Sequence, residues 1–147
     1  MSSSDGMTYA PQGKPDPVVA PGEFTFATVH LDHGHIYGQT NGLLEAGATL
    51  KWVYDPDPAK VAAYREKYPQ AQVARSLEEI LDDAQVQLVA AAAIPSTRGA
   101  LGCRVMEAGK DYFTDKTPFT AFDQLAQAQQ VVAATGRKYA VYFSERL

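Results

Sequence analysis

The chain has 147 residues, 46% of them apolar and 20% charged, which suits one packed domain and argues against general disorder. Thirteen Lys and Arg against 17 Asp and Glu leave a net charge of −4, so a binder of nucleic-acid phosphates is not expected. A single cysteine, Cys103, excludes an internal disulfide framework and a Cys-rich zinc site; inside a helix, it reads as a small apolar residue.

Met1 to Gly22 holds Pro11, Pro15, Pro17 and Pro21 with little apolar periodicity, and reads as a flexible polar leader. It lacks the basic start and apolar core of a secretory signal, and no stretch is long enough to span a bilayer, so a cytoplasmic protein is expected. From residue 23 to 147 the pattern alternates strands and helices. Phe24–His30 is aromatic and β-branched and predicts a buried strand. Ile36–Ala46 predicts a helix stopped by Gly47, and Thr49–Tyr54 a second strand. Asp57 before Pro58 is a helix start, with Pro69 ending that helix.

Gln72–Arg75 is a short third strand, and Ser76-Leu-Glu-Glu79 is a capping box. Gln87–Ala93 is apolar almost throughout, as a central parallel strand covered on both faces should be. A helix over Thr97–Ala108, a strand over Asp111–Thr114, a helix over Ala121–Thr135 capped by Thr120, and a strand over Lys138–Phe143 follow. The aromatics of these strands, Trp52 and Tyr54 among them, read as core. The whole predicts an α/β fold, a doubly wound parallel sheet of about six strands with helices on both faces. Ligands of such sheets sit beyond the carboxyl ends of the strands.

The segments after those strand ends carry a resemblance. Tyr54-Asp-Pro-Asp-Pro58, Ile94-Pro-Ser-Thr-Arg98, Glu107-Ala-Gly-Lys110 and Asp115-Lys-Thr-Pro118 occur in one order. Together they resemble the N-terminal NAD-binding Rossmann domain of the Gfo/Idh/MocA family (glucose–fructose oxidoreductase and inositol dehydrogenase), over about Phe24 to Leu147. The resemblance implies an NAD-dependent oxidoreductase acting on a sugar or polyol, with NAD as cofactor, NADP disfavoured, and pairing into homo-oligomers. Family members continue into a larger α+β domain that holds the substrate. The 147-residue chain is therefore expected to be a truncated form with little or no turnover of its own. Two other readings remain: a non-catalytic Rossmann module that binds a nucleotide or a partner, and a metal-dependent enzyme built on the histidines of residues 30–35.

The Gly-x-Gly-x-x-Gly fingerprint gives a dinucleotide its tight turn and close backbone approach. Here the matching run is His30-Leu-Asp-His-Gly-His35, with His30, Asp32 and His35 at the three glycine positions and Gly34 beside the third. His30, Asp32, His33, Gly34 and His35 form a phosphate-facing or structural turn, a metal-binding cluster or a catalytic group; no metal is expected, because the spacing matches no closed zinc motif. Asp55, 25 residues after His30, is placed to hold the adenosine ribose and to repel a 2′-phosphate, or else caps a turn before Pro56. By resemblance, Ile94, Pro95, Ser96 and Thr97 pass beneath the nicotinamide ribose, although Ser96 and Thr97 also suit simple capping. Asp115-Lys116-Thr117-Pro118 stands where the family has Glu-Lys-Pro, with a proline bond that is commonly cis. The resemblance makes Lys116 the catalytic candidate, with Asp115 as its carboxylate neighbour and both near the cofactor; without it, Lys116 is a solvated loop lysine.

Overall fold

A computed structural model describes residues 16–143. Six strands form a single sheet in the order β3-β2-β1-β4-β5-β6, and every pairing is parallel. They are β1 (Thr25–Val29), β2 (Thr49–Tyr54), β3 (Gln72–Val73), β4 (Leu88–Ala91), β5 (Asp111–Asp115) and β6 (Tyr139–Tyr142). The helices between them are α1 (His35–Glu45), α2 (Pro58–Lys67), α3 (Leu77–Leu81), α4 (Arg98–Glu107) and α5 (Phe122–Thr135). The chain thus builds the doubly wound α/β architecture that the alternation of elements implied. The strand order reverses between β1 and β4, which opens a crevice at their carboxyl ends.

Successive strand residues feed opposite cores, as a period of two requires. Ala27, Val29, Val89 and Ala91 face α3, α4 and α5, packing with Ile80, Val105 and other residues of those helices. Phe26, Ala90 and Ala92 face the other side, against Ile36 of α1 and Val61 and Tyr64 of α2. Gln39 of α1 reaches into the sheet and donates to the carbonyls of Ala91 and Phe113, at 3.3 and 3.0 Å. Alanines at 90–93 leave room for that approach.

Helix starts follow side-chain chemistry with two departures. Asp57 accepts the Ala59 N–H at 2.9 Å, and Ser76 accepts the Glu79 N–H at 3.2 Å. The reciprocal half of the box at residue 76 slips by one: Glu79 accepts from the Arg75 N–H at 2.7 Å, and α3 runs only five residues. Thr120 does not cap α5. Ala121 occupies that position, and the Gln124 side chain instead reaches back to accept the Thr120 N–H at 2.9 Å. The last strand residues expected after Leu88–Ala91 leave the ladder because Ala92 and Ala93 bond elsewhere: Ala92 donates to His30, and Ala93 accepts from Arg98.

Of the 22-residue leader, residues 1–15 lie outside the described residues. The remainder is anchored: the N–H groups of Val18 and Val19 donate to the Ala46 carbonyl, and that of Gly22 to the Thr49 hydroxyl. Among the described residues, no helix is long and apolar enough to cross a membrane.

Candidate functional site

The turn between β1 and α1 divides the crevice. His30 has φ of 52°, the left-handed region where the fingerprint's first glycine would sit without strain. It is fixed there by its N–H to the Tyr54 carbonyl at 3.0 Å and by its own carbonyl, which accepts from Ala92 at 3.1 Å. Gly34 caps α1 with φ of −61°, so this glycine is not required by backbone conformation.

Asp55 at the end of β2 is 8% exposed and fastens the turn from below. Its Oδ2 accepts the Leu31 N–H at 2.7 Å and its Oδ1 the Asp57 N–H at 2.8 Å. Each carboxylate oxygen retains a further lone-pair direction for a ribose hydroxyl. A cleft of about 490 Å³ opens above it, lined by His30, Asp32, Asp55, Ile94, Thr97 and Leu101 among others. That size lies in the range of small-molecule sites. Its walls are largely apolar, and Asp55 is the one buried carboxylate in it.

Asp32 adds a second negative charge beside the cleft, and Lys60 of α2 neutralises it with Nζ 2.7 Å from Oδ1. The hydrogen bond that Lys60 donates to Asp32 raises its ammonium above the ordinary lysine value. Arg104 also lines the cleft but is bound to Glu78 at 2.6 Å. Lys60 and Arg104 went unnoticed in the sequence. Both lie on helices whose facing residues are fixed only by packing, and neither stands in a motif.

On the other side of the turn, Asp115 at the end of β5 is 1% exposed and gathers four partners. His35 Nδ1 lies 2.8 Å from Oδ1, and His33 Nδ1 3.4 Å from Oδ2. The Lys116 N–H donates to Oδ1 at 2.8 Å. Arg98, 2% exposed, places Nη2 3.4 Å from Oδ2 and also donates to the carbonyls of Ala93, Asp115 and Thr117. Arg98 is thus a buried clamp holding the segment after β4 against the segment after β5. Only its place in the motif pointed to it. The Lys116–Thr117 peptide bond is cis, one residue before the Thr117–Pro118 bond.

The sequence-derived candidates therefore separate into two groups. His30, Asp32, Asp55, Ile94 and Thr97 share the cleft. His33, His35 and Asp115 meet beyond the turn, with Lys116 next in the chain. Pro95, Ser96 and Thr97 form a single 3-10 turn between β4 and α4. Thr97 does not cap α4 with its side chain; its hydroxyl donates to the Ile94 carbonyl at 2.7 Å, and Ser96 is exposed. Tyr142 of β6, read from the sequence as a core aromatic, instead packs edge-on to the His35 ring at 5.7 Å.

A family model described as "Oxidoreductase family, NAD-binding Rossmann fold" (GFO_IDH_MocA) matches residues 27–145. No curated protein sequence matches the chain. Among solved structures, a protein from Erwinia carotovora atroseptica SCRI1043 described as an oxidoreductase is 43% identical, with a TM-score of 0.82 over 84% of this chain and 37% of its own. A protein of Sinorhizobium meliloti 1021 described as a myo-inositol dehydrogenase is 25% identical, with a TM-score of 0.72 over 84% of this chain and 37% of its own. GenD2 of gentamicin A biosynthesis, solved in complex with NAD, shares the fold at 21% identity, with a TM-score of 0.73 over 86% of this chain and 36% of its own. The chain thus spans little more than a third of the length of these structures. Parallel strand order, crevice and family match agree: the chain belongs to the Gfo/Idh/MocA oxidoreductase family, over that family's NAD-binding Rossmann domain.

Proposed function

We propose that this domain serves an NAD-dependent dehydrogenase of a sugar or polyol, passing hydride between the nicotinamide and a carbinol carbon. The observation that carries the reading is the buried Asp55 carboxylate at the floor of a cleft in which Asp32 is already paired with Lys60. In this reading the adenosine lies over Asp55 against Ile94, and the diphosphate crosses the turn formed by His30, Asp32, His33, Gly34 and His35. The nicotinamide half then lies over Pro95, Ser96 and Thr97, toward Asp115 and Lys116. NAD, when bound, supplies the hydride acceptor. Lys116, the residue that follows β5, is the proposed catalytic residue, exchanging a proton with the substrate hydroxyl. Asp115, fixed by Arg98 and the two histidines, holds the Lys116 backbone in place.

NAD is favoured over NADP because Asp55 and Asp57 present carboxylates where a 2′-phosphate would sit, while Lys60 and Arg104 are engaged by Asp32 and Glu78. Polyol specificity rests on the family, and substrate contacts are assigned to regions outside this domain. Competition of NADPH against bound NADH tests the cofactor choice. The reading expects NADPH to bind about tenfold more weakly or worse, since one like-charge contact near the surface costs on the order of 1 kcal/mol or more. Equal affinity contradicts it. Absorbance at 340 nm with NAD+ and a set of polyols tests the hydride transfer, which the reading expects as a polyol-dependent rise in NADH.

A further inference from the structure

His33, His35 and Asp115 bring two imidazoles and one carboxylate together, with ligand atoms all within 4.8 Å of one another. The separations are informative. A cation with bonds of 2.0–2.1 Å to its ligands sets neighbouring ligand atoms about 2.9 Å apart in an octahedron and about 3.3 Å apart in a tetrahedron. His35 Nδ1 to Asp115 Oδ1 is 2.8 Å, and His33 Nδ1 to Asp115 Oδ2 is 3.4 Å. His33 Nδ1 also lies 3.1 Å from the His35 backbone nitrogen, so one imidazole nitrogen sits between that N–H and the Asp115 carboxylate. The carboxylate is buried and itself oriented from behind by the Lys116 N–H and by Arg98, as the carboxylates of metal sites commonly are. Exposure of the His33 side chain at 53% leaves an approach from solvent.

We propose that His33, His35 and Asp115 form a binding site for a divalent first-row transition cation. Two imidazoles and one carboxylate favour Zn²⁺, Ni²⁺ or Co²⁺ over Mg²⁺ and Ca²⁺, which prefer all-oxygen ligands. Three protein ligands leave a coordination position open to an oxygen of water or of a bound molecule, beside Lys116 at the end of β5. The Arg98 guanidinium lies on the same carboxylate and lowers the affinity, which makes the ion exchangeable. The neighbouring group of His30, Asp32 and Asp55 is a poorer site, because Lys60 already neutralises Asp32. The proposal does not depend on dinucleotide binding.

The test is titration of the chelator-stripped 147-residue chain with Co²⁺, without nucleotide, followed by visible absorption and calorimetry. The expected result is one site with d–d bands of a low-coordinate ion, displaced by Zn²⁺ and untouched by Mg²⁺. His33→Ala and His35→Ala should each weaken binding about tenfold or more, and His30→Ala should leave it unchanged. Circular dichroism reports folding of each variant, and the exposed His33 keeps the test open if His35→Ala unfolds. Absence of saturable Co²⁺ binding at millimolar metal, or binding indifferent to His33→Ala in the folded protein, overturns the proposal.

Discussion

Replacing Asp55 by alanine removes the fastening between the β1–α1 turn and the end of β2. Two backbone N–H groups lose a charged acceptor, Leu31 at 2.7 Å and Asp57 at 2.8 Å. A hydrogen bond to a charged partner contributes about 1.5–3 kcal/mol net, and an N–H left unpaired in a buried setting costs about 1–3 kcal/mol. The carboxylate is 8% exposed and lines the cleft, so water can replace part of each bond. Asp55→Ala is therefore expected to lose about 2–4 kcal/mol. Asp55→Asn keeps one acceptor oxygen but turns an amide N–H₂ toward the other donor, and should lose about half as much. Equilibrium urea unfolding measures both. With slopes of about 1–3 kcal/mol/M, the alanine midpoint should fall by roughly 1–2 M without a change in slope. An Asp55→Ala protein within about 0.5 kcal/mol of wild type would refute the claim that this carboxylate organises the turn.

Three further outcomes follow from the same geometry. Burial opposes ionisation of Asp83, but hydrogen bonds from Lys51 and Trp52 outweigh it and hold the carboxyl down at about 2. Its contribution is present above the ordinary aspartate range and is lost as pH falls toward 2; unfolding between pH 5 and pH 2 should show about 1–2 kcal/mol of this loss in wild type and not in Asp83→Asn. Lys60→Met should weaken NADH binding about threefold to tenfold by uncovering Asp32, and Asp32→Asn in that background should restore it; no rescue means the pair does not govern charge at the turn. His30→Gly relieves a left-handed residue worth about 1–2 kcal/mol while adding about 0.5–1 kcal/mol of backbone entropy, so thermal unfolding should find it as stable as wild type or slightly more so. A loss above about 1 kcal/mol would show that the His30 side chain, with its edge contact to Tyr54, outweighs the strain.

The sheet was legible because each strand carries its own signal. Thr49–Tyr54 is bounded in the structure as its β-branched and aromatic run implies, and Asp57-Pro58 and Gly136 mark helix ends where expected. The weaker points were caps decided by competition between neighbouring side chains, as where Gln124 displaces Thr120. In the candidate site, the place of Asp55 directly after β2 was readable from the run that ends at Tyr54. The meeting of His35 with Asp115 was not, since 80 residues separate them and only the sheet order brings β1 and β5 to opposite sides of β4. Arg98 illustrates the same limit: its role as a buried clamp is written in carbonyl positions, which sequence patterns do not carry.

The central claim is that the cleft above Asp55 holds the adenosine half of NAD. Trp52, the only tryptophan, sits on β2 three residues before Asp55, and its emission overlaps the absorption of the reduced nicotinamide. Titrating the chain with NADH while exciting Trp52 should give saturable quenching with sensitised nicotinamide emission. The folded Asp55→Asn protein should need about tenfold more NADH, the loss of one charged ribose contact. Quenching that never saturates at millimolar NADH, or an affinity equal in the Asp55→Asn protein, would contradict it.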